Sequence, residues 1–272
     1  MNRKEGSPRV SLYQPEQEGL IFPQTPVFAT VYDERLHRKQ RLVAACRAFA
    51  KHGFGFGFGG HLTVRDPEFP ELYWTNPMAV PFSQVRLSNL VLANHEGIVV
   101  EGKYGINKAG YVYHTAVHAE HPDIVAMCHA HTFNAGVWCT FGRTLDPINQ
   151  DACVFYGDQL VINSEAGAVG LEKGTGTSVA AQIGKQNVVI HQNHGVFTLS
   201  RHSIEDAAFR FISFDRTCAM QIAVESSGKA PTLVEDSKAR YTFEHLGSSY
   251  ISWLNFETLY QELLLENPDM YL

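Results

Sequence analysis

The chain has 272 residues, 44% of them hydrophobic and 18% charged, proportions that supply a sizeable buried core. A formal net charge of −6 gives no basis for binding nucleic acid or an anionic membrane, and no run is long and apolar enough to span a bilayer. The five cysteines form no CxxC pair and are expected as free thiols of a cytoplasmic protein.

Residues 1–30 are polar with scattered proline and charge, and lack an apolar signal core; they read as an arm, mobile or packed on a neighbour. Glu34 to His52 carries apolar residues at helical spacing, and Gly53 stops it. The run Gly53-Phe54-Gly55-Phe56-Gly57-Phe58-Gly59-Gly60 is followed by no Gly-Lys-Ser/Thr, and it comes after a helix rather than a strand. It is therefore neither a P-loop nor a dinucleotide fingerprint, but a tight loop that permits close backbone approach. Strands are expected at His61–Arg65, Leu72–Thr75, Val91–Ala93 and Ile98–Gly102, an antiparallel meander. A helix over Lys108–His121 ends at His121-Pro122-Asp123.

The apolar run Ile124-Val125-Ala126-Met127 then leads into Cys128-His129-Ala130-His131. Residues two apart on a strand leave the same face, so His129 and His131 form a candidate pair of metal ligands. A third candidate is His194, in Gln192-Asn193-His194-Gly195 after a second apolar run. A helix is expected over Thr132–Phe141, a short helix or turn over Gln150–Gly157, and a helix over Thr177–Gly184. Strands are expected at Leu160–Ile162, Asn187–His191 and His194–Leu199. Ser203-Ile204-Glu205-Asp206 opens a long helix that runs to about Glu225. Further helices are expected around Ser237–Tyr250 and Asn255–Leu265. The simplest organisation is one catalytic-type domain over 31–228, with an N-terminal arm at 1–30 and a helical extension at 229–272.

Taken in order, several short pieces make the chain resemble the class II aldolase/adducin family. They are Gly60-His61-Leu62-Thr63-Val64-Arg65, Asn76-Pro77, Ser88-Asn89-Leu90 with Glu101-Gly102, His114, Pro122-Asp123, His129-Ala130-His131, Asn193-His194-Gly195 and Ser203-Ile204-Glu205-Asp206-Ala207. The resemblance implies a three-layer α/β/α fold with a mostly antiparallel central sheet. It also implies one divalent metal ion per subunit (zinc, manganese or iron) held by His129, His131 and His194, and a homotetramer with active sites between subunits. Three protein ligands leave open positions, the mark of a catalytic site.

Two departures from the family stand out. Its sugar-phosphate aldolases place a carboxylate, usually Glu, where this chain has Gly110, and no acid lies within Tyr104–Tyr111. Candidate substitutes for that proton carrier are Lys108, Tyr111, His191 and Asp151. The phosphate cradle is also altered: the corresponding positions are His61, Met78, Ala79, Lys108 and Ala109, poor in hydroxyl groups. The substrate is therefore expected to be a small molecule without a phosphate, carboxylated or aromatic, contacting His61, Met78, Lys108 and Tyr156. Phe82 is a further candidate for the pocket wall. His114 and His118 share a helix face and read as packing or hydrogen-bonding residues.

A missing acid favours decarboxylation over aldol cleavage, since CO2 leaves rather than a proton. The leading expectation is a metal-dependent C–C lyase of the decarboxylase or retro-aldol type. A non-haem Fe(II) oxygenase, as in relatives from secondary metabolism, is the alternative. A non-catalytic adducin-like scaffold is a third reading, against which the intact histidine triad argues, and a plain aldolase with a substitute acid is a fourth.

Overall fold

A computed structural model describes residues 19, 21 and 23–272, so most of the expected N-terminal arm lies outside the described residues. The meander is present as β1 (His61–Arg65), β2 (Leu72–Thr75), β3 (Val91–Asn94) and β4 (Val99–Glu101). Beside β1 runs β5 (Ala126–Ala130), followed across the sheet by β8 (Gly195–Ser200), β7 (Val188–His191) and β6 (Gln159–Ile162). The eight-stranded order is β4-β3-β2-β1-β5-β8-β7-β6, and β6–β7 is its one parallel pair. The sheet is thus mostly antiparallel.

Alternation along the strands divides the protein into two cores. Leu62 and Val64 of β1, with Ala126, Cys128 and Ala130 of β5, face a large core with α1 (Val31–Lys51), α6 (Ile204–Ser226) and α8 (Ser249–Glu266). Met127, Val189, Phe197 and Leu199 face the other way, against α2 (Lys108–Glu120) and α5 (Lys173–Ala180). These are the three layers of an α/β/α fold. Three shorter helices complete it: α3 (Phe133–Cys139), α4 (Gln150–Cys153) and α7 (Asp236–Leu246). The segment 229–272 supplies Phe256, Leu263 and Met270 to the larger core, so α8 packs within its own chain. All five cysteines are free and buried. Among the described residues no helix is long and apolar enough to cross a membrane.

Helix bounds differ from expectation most at α5 and α8, and α7 ends at Leu246 rather than Tyr250. The spacing predicts a helix from Thr177, whereas α5 starts at Lys173 and runs through Gly174 and Gly176. Glycine weakens an isolated helix, but a Cβ at Gly176 would overlap the Val112 carbonyl of α2. The close packing of α5 on α2 therefore requires the residue that hides the helix in the sequence. Likewise, α8 begins at Ser249 rather than near Asn255, because Ser248 caps it by accepting from the Ile251 N–H.

Buried charges tie the layers together. Arg210 of α6 donates to Asp206 (2.7 Å), Asp158 (3.2 Å) and the Gly247 carbonyl (2.8 Å), which joins α6 to the loop before α8. At the end of β1, Asp66 accepts from Arg35 of α1, the Trp74 indole of β2, and the Glu68 and Phe69 amides. Burial raises the pKa of Asp66, but these donors outweigh it and bring the value down to about 2.

A carboxyl whose folded pKa is depressed stabilises the fold above its unfolded pKa, and that stability is lost as pH falls through the folded value. Asp66→Asn is expected to lower the unfolding free energy at neutral pH by about 2–4 kcal/mol. In urea titrations the difference from the parent should shrink between about pH 4 and pH 2.

Candidate metal centre

His129 sits on β5 and His131 just beyond its end, two residues on and on the same side of the chain. His194 belongs to the tight turn between β7 and β8, where Asn193 takes φ +58° so that the chain reverses at once. The expected strand at His194–Leu199 therefore begins one residue later, at Gly195. One ring nitrogen from each of His129, His131 and His194 lies within 4.8 Å of the other two. The ring centroids are 4.9 to 5.3 Å apart.

The donor set fits a divalent ion. His129 is fully buried, and its Nδ1 lies 2.8 Å from the Val196 carbonyl. A carbonyl only accepts, so Nδ1 carries the hydrogen and Nε2 keeps a lone pair. That Nε2 is buried with no hydrogen-bond partner. An orphaned, oriented imidazole nitrogen is costly unless something coordinates it. Burial, and then the neighbouring histidines, holds the pKa of His129 far below the ordinary value and brings His194 to about 4. Burial also lowers His131. These shifts favour the neutral ring, the form that binds metal. Gly195 is part of the same arrangement, because a Cβ there would press on the His129 ring.

His61 completes the wall. The β1–β5 register sets it directly opposite His129, and the two rings stack at 4.8 Å. A Cβ at Gly110 would overlap the His61 ring. His61 therefore occupies the space that a side chain at position 110 would take, and an acid there is excluded while His61 stands as it does. His61 Nδ1 meets His114 Nε2 at 2.7 Å.

Beside His61 opens a narrow cleft lined by Phe54, Phe58, Met78, Phe82 and Tyr111, with Asn76, Asn107 and the backbone of the glycine-rich loop. No lysine, arginine or carboxylate is among its lining residues. Ala79 lies on the rim with φ +59°, a strained value for alanine. Asn76 braces the loop to β1: it accepts from the Leu62 amide (2.9 Å) and donates to the Gly60 carbonyl (3.3 Å).

The remaining candidates fall in different places. Met78 and Tyr111 line the cleft, but the Tyr111 hydroxyl donates to the Ala93 carbonyl at 2.9 Å. Lys108 is exposed in the first turn of α2, next to the cleft-lining Asn107. His191 is buried on β7, stacked on His194 at 4.9 Å, with Nε2 on the Ser164 carbonyl at 2.8 Å and Nδ1 without a partner. Tyr156 packs instead against α7, with its ring under Arg240. Asp151 is on α4, which packs on α6 and α7. Two residues were not singled out from sequence. Thr63 shares the face of His61 by simple alternation, a signal that was present. Tyr113, edge-on to His194 at 5.4 Å with a buried, unpartnered hydroxyl, had none beyond its place on α2.

The overlap at Gly110 has a measurable consequence. Gly→Ala inside a helix normally stabilises by about 1 kcal/mol. Here Gly110→Ala is expected to destabilise by about 1–3 kcal/mol through overpacking. In a His61→Ala background the same change should turn stabilising, a coupling that a double-mutant cycle by urea unfolding will read.

Known proteins bear on this arrangement. The family described as Class II Aldolase and Adducin N-terminal domain matches residues 40–222. The chain is 34% identical over 251 residues to "Decarboxylase NovR" of Streptomyces niveus, covering 92% of each chain. It is also 34% identical to "4-hydroxy-3-prenylphenylpyruvate oxygenase/4-hydroxy-3-prenylbenzoate synthase" of Streptomyces roseochromogenus, covering 92% of this chain and 90% of that one. Among solved structures, "L-fuculose 1-phosphate aldolase from Glaciozyma antarctica PI12" superposes with a TM-score of 0.83 at 31% identity, over 97% of this chain and 99% of that one. The three-layer fold, the histidine cluster and these matches agree, and the chain belongs to the class II aldolase/adducin family.

Proposed function

We propose that the protein is a metal-dependent enzyme that removes the carboxyl group of an aromatic oxo acid. One observation carries this reading: His61, stacked on His129 of the three-histidine cluster, lines an apolar cleft and fills the space at Gly110, where the resemblance places the aldolase acid. Breaking a C–C bond by aldol cleavage requires a group that moves a proton on and off the reacting carbon. Breaking a C–CO2 bond does not, because the carboxylate carries its own electron pair into the substrate.

His129, His131 and His194 hold the ion. When bound, that divalent ion supplies Lewis acidity for the substrate oxygen that receives the electron pair. The chain does the rest. Phe54, Phe58, Met78 and Phe82 give an aromatic ring an apolar seat and exclude water. Asn76 and the loop it braces hold that seat against β1. Lys108, at the N-terminal end of α2, is the candidate partner for a carboxylate entering the cleft. A homotetramer with clefts at subunit boundaries accounts for the exposure of Phe56 and Phe133 beside the site, at 83% and 82%.

A second reading has its own support. A 3-oxo acid can place the released electron pair on its carbonyl, whereas a 2-oxo acid cannot and needs another electron sink, such as an oxidant. The relative named as an oxygenase carries a 2-oxo acid in its name, a phenylpyruvate. On such a substrate the protein would work with Fe(II) and O2.

Protein purified anaerobically should contain about one divalent ion per chain, and His129→Ala/His131→Ala should contain none, by elemental analysis. Zinc- or manganese-loaded protein should convert benzoylacetate and a proton to acetophenone and CO2 without O2, well above the protein-free rate. CO2 released only from 4-hydroxyphenylpyruvate, with matching O2 uptake by iron-loaded protein, would favour the second reading. CO2 from neither acid, with metal bound, would overturn both.

A further inference from the structure

Behind the metal centre lies a run of buried polar side chains that neither the metal nor the cleft explains. His61 and Thr63 share one face of β1, and His114 and His118 are i and i+4 on α2, which packs across it. His61 Nδ1 meets His114 Nε2 at 2.7 Å, and His114 Nδ1 meets Thr63 Oγ1 at 2.6 Å. Thr63 Oγ1 meets His118 Nε2 at 2.9 Å, and His118 Nδ1 lies 3.2 Å from the Ile124 carbonyl. His114 and His118 are essentially inaccessible to water, as is Thr63.

Such a chain has a direction, because each contact needs one hydrogen. The Ile124 carbonyl only accepts, so His118 carries its hydrogen on Nδ1. Arg65 Nη2 also approaches that atom at 3.4 Å, but its own hydrogens are directed to the carbonyls of His118 (2.8 Å) and His121 (3.3 Å). His118 Nε2 is then bare and accepts from the Thr63 hydroxyl. That hydroxyl has a single hydrogen, so toward His114 it can only accept, and His114 carries its hydrogen on Nδ1. His114 Nε2 is bare in turn and accepts from His61 Nδ1. The hydrogen of His61 is thereby committed, and its Nε2 is left as a lone pair. Among the described residues that Nε2 has no hydrogen-bond partner, and it lies against Gly110 at the end of the cleft.

We propose that His118, Thr63 and His114 are positioning residues that fix His61 in its Nδ1–H tautomer, so that its Nε2 accepts a hydrogen bond from a substrate hydroxyl or enol at the place of the absent acid. The relay stands on geometry alone; the part played by Nε2 rests on the reading given under Proposed function. A glutamate at position 110 would reach the substrate from a flexible side chain, whereas His61 is held by stacking on His129 and by a hydrogen bond traced back to a fixed backbone carbonyl. The relay also explains why β1 and α2 bury four polar side chains in one place. Each is satisfied only if all point one way.

The test is histidine tautomer state, read by long-range 1H–15N correlation on protein labelled at histidine nitrogen, with and without zinc. The parent protein is expected to show His61, His114 and His118 as Nδ1–H tautomers. Thr63→Val removes the one hydroxyl that sets the direction, and should leave His61 as a mixture of tautomers with zinc affinity within about threefold of the parent. Thr63→Ser should restore the single tautomer. His61 as Nε2–H in the parent would overturn the relay, a result that needs no variant to fold. A single Nδ1–H tautomer of His61 surviving in Thr63→Val would overturn it too. With benzoylacetate, Thr63→Val should lower kcat about tenfold or more and leave KM nearly unchanged; an unchanged kcat would overturn the role given to Nε2. If the parent does not turn over benzoylacetate, the proposed reaction fails, while the tautomers still decide the relay.

Discussion

The antiparallel register between β1 and β5 is the constraint on which the site depends. It sets His61 opposite His129, and from that pairing the rest follows. The stacked His61 ring fills the space at Gly110, so α2 can lie close to the sheet only because position 110 has no side chain. A slip of β1 by one residue would turn His61 toward the other core and carry Leu62 into the site opposite His129. The same register puts Thr63 opposite Met127, in reach of α2. Strand pairing, rather than any single contact, therefore decides what chemistry the cluster can host.

Glycine marks the closest approaches. Gly110 admits His61, Gly195 admits His129, and Gly176 lets α5 lie against α2. In each case a Cβ would enter the volume of a ring or a carbonyl. Burial keeps His129 and His194 neutral, since it disfavours the charged ring.

Two networks of buried ionic groups lie away from this region. Asp66 gathers α1, β1 and β2 at one end, and Arg210 ties α6 to Asp158 and to the loop before α8. Both are satisfied by several partners, as buried charges must be. The face of the sheet that carries the histidines has neutral polar groups instead, ending in Arg65, whose guanidinium is spent on the carbonyls of Ile124, His118 and His121. An apolar cleft lined by Phe54, Phe58 and Phe82 can adjoin such a face without a strong field of either sign.

Much of this was legible in the sequence, and the limits have physical causes. The period-2 alternation in β1 and β5 placed the strands and the paired ligands His129 and His131, because side-chain direction on a strand is local. Caps at Ser203 and the glycine after α1 placed helices for the same reason. The ordered motifs pointed to the family, the fold and the third histidine. Local pattern could not place α5, whose glycines argue against a helix until α2 is seen beside it, nor the start of α8. It noted the absence of an acid at Gly110 but not what stands there, since His61 and Gly110 are far apart in the chain and meet only when β1 and α2 pack. Nor could it separate Met78 and Tyr111, which line the cleft, from Tyr156, which lies against α7. The sequence by itself determined most element types, because these are written in local spacing, and its ordered motifs pointed by resemblance to the family and to a candidate metal-ligand set. Only the tertiary structure decided the neighbours of each ring, and with them the direction of every hydrogen bond, because those depend on register and packing between distant segments.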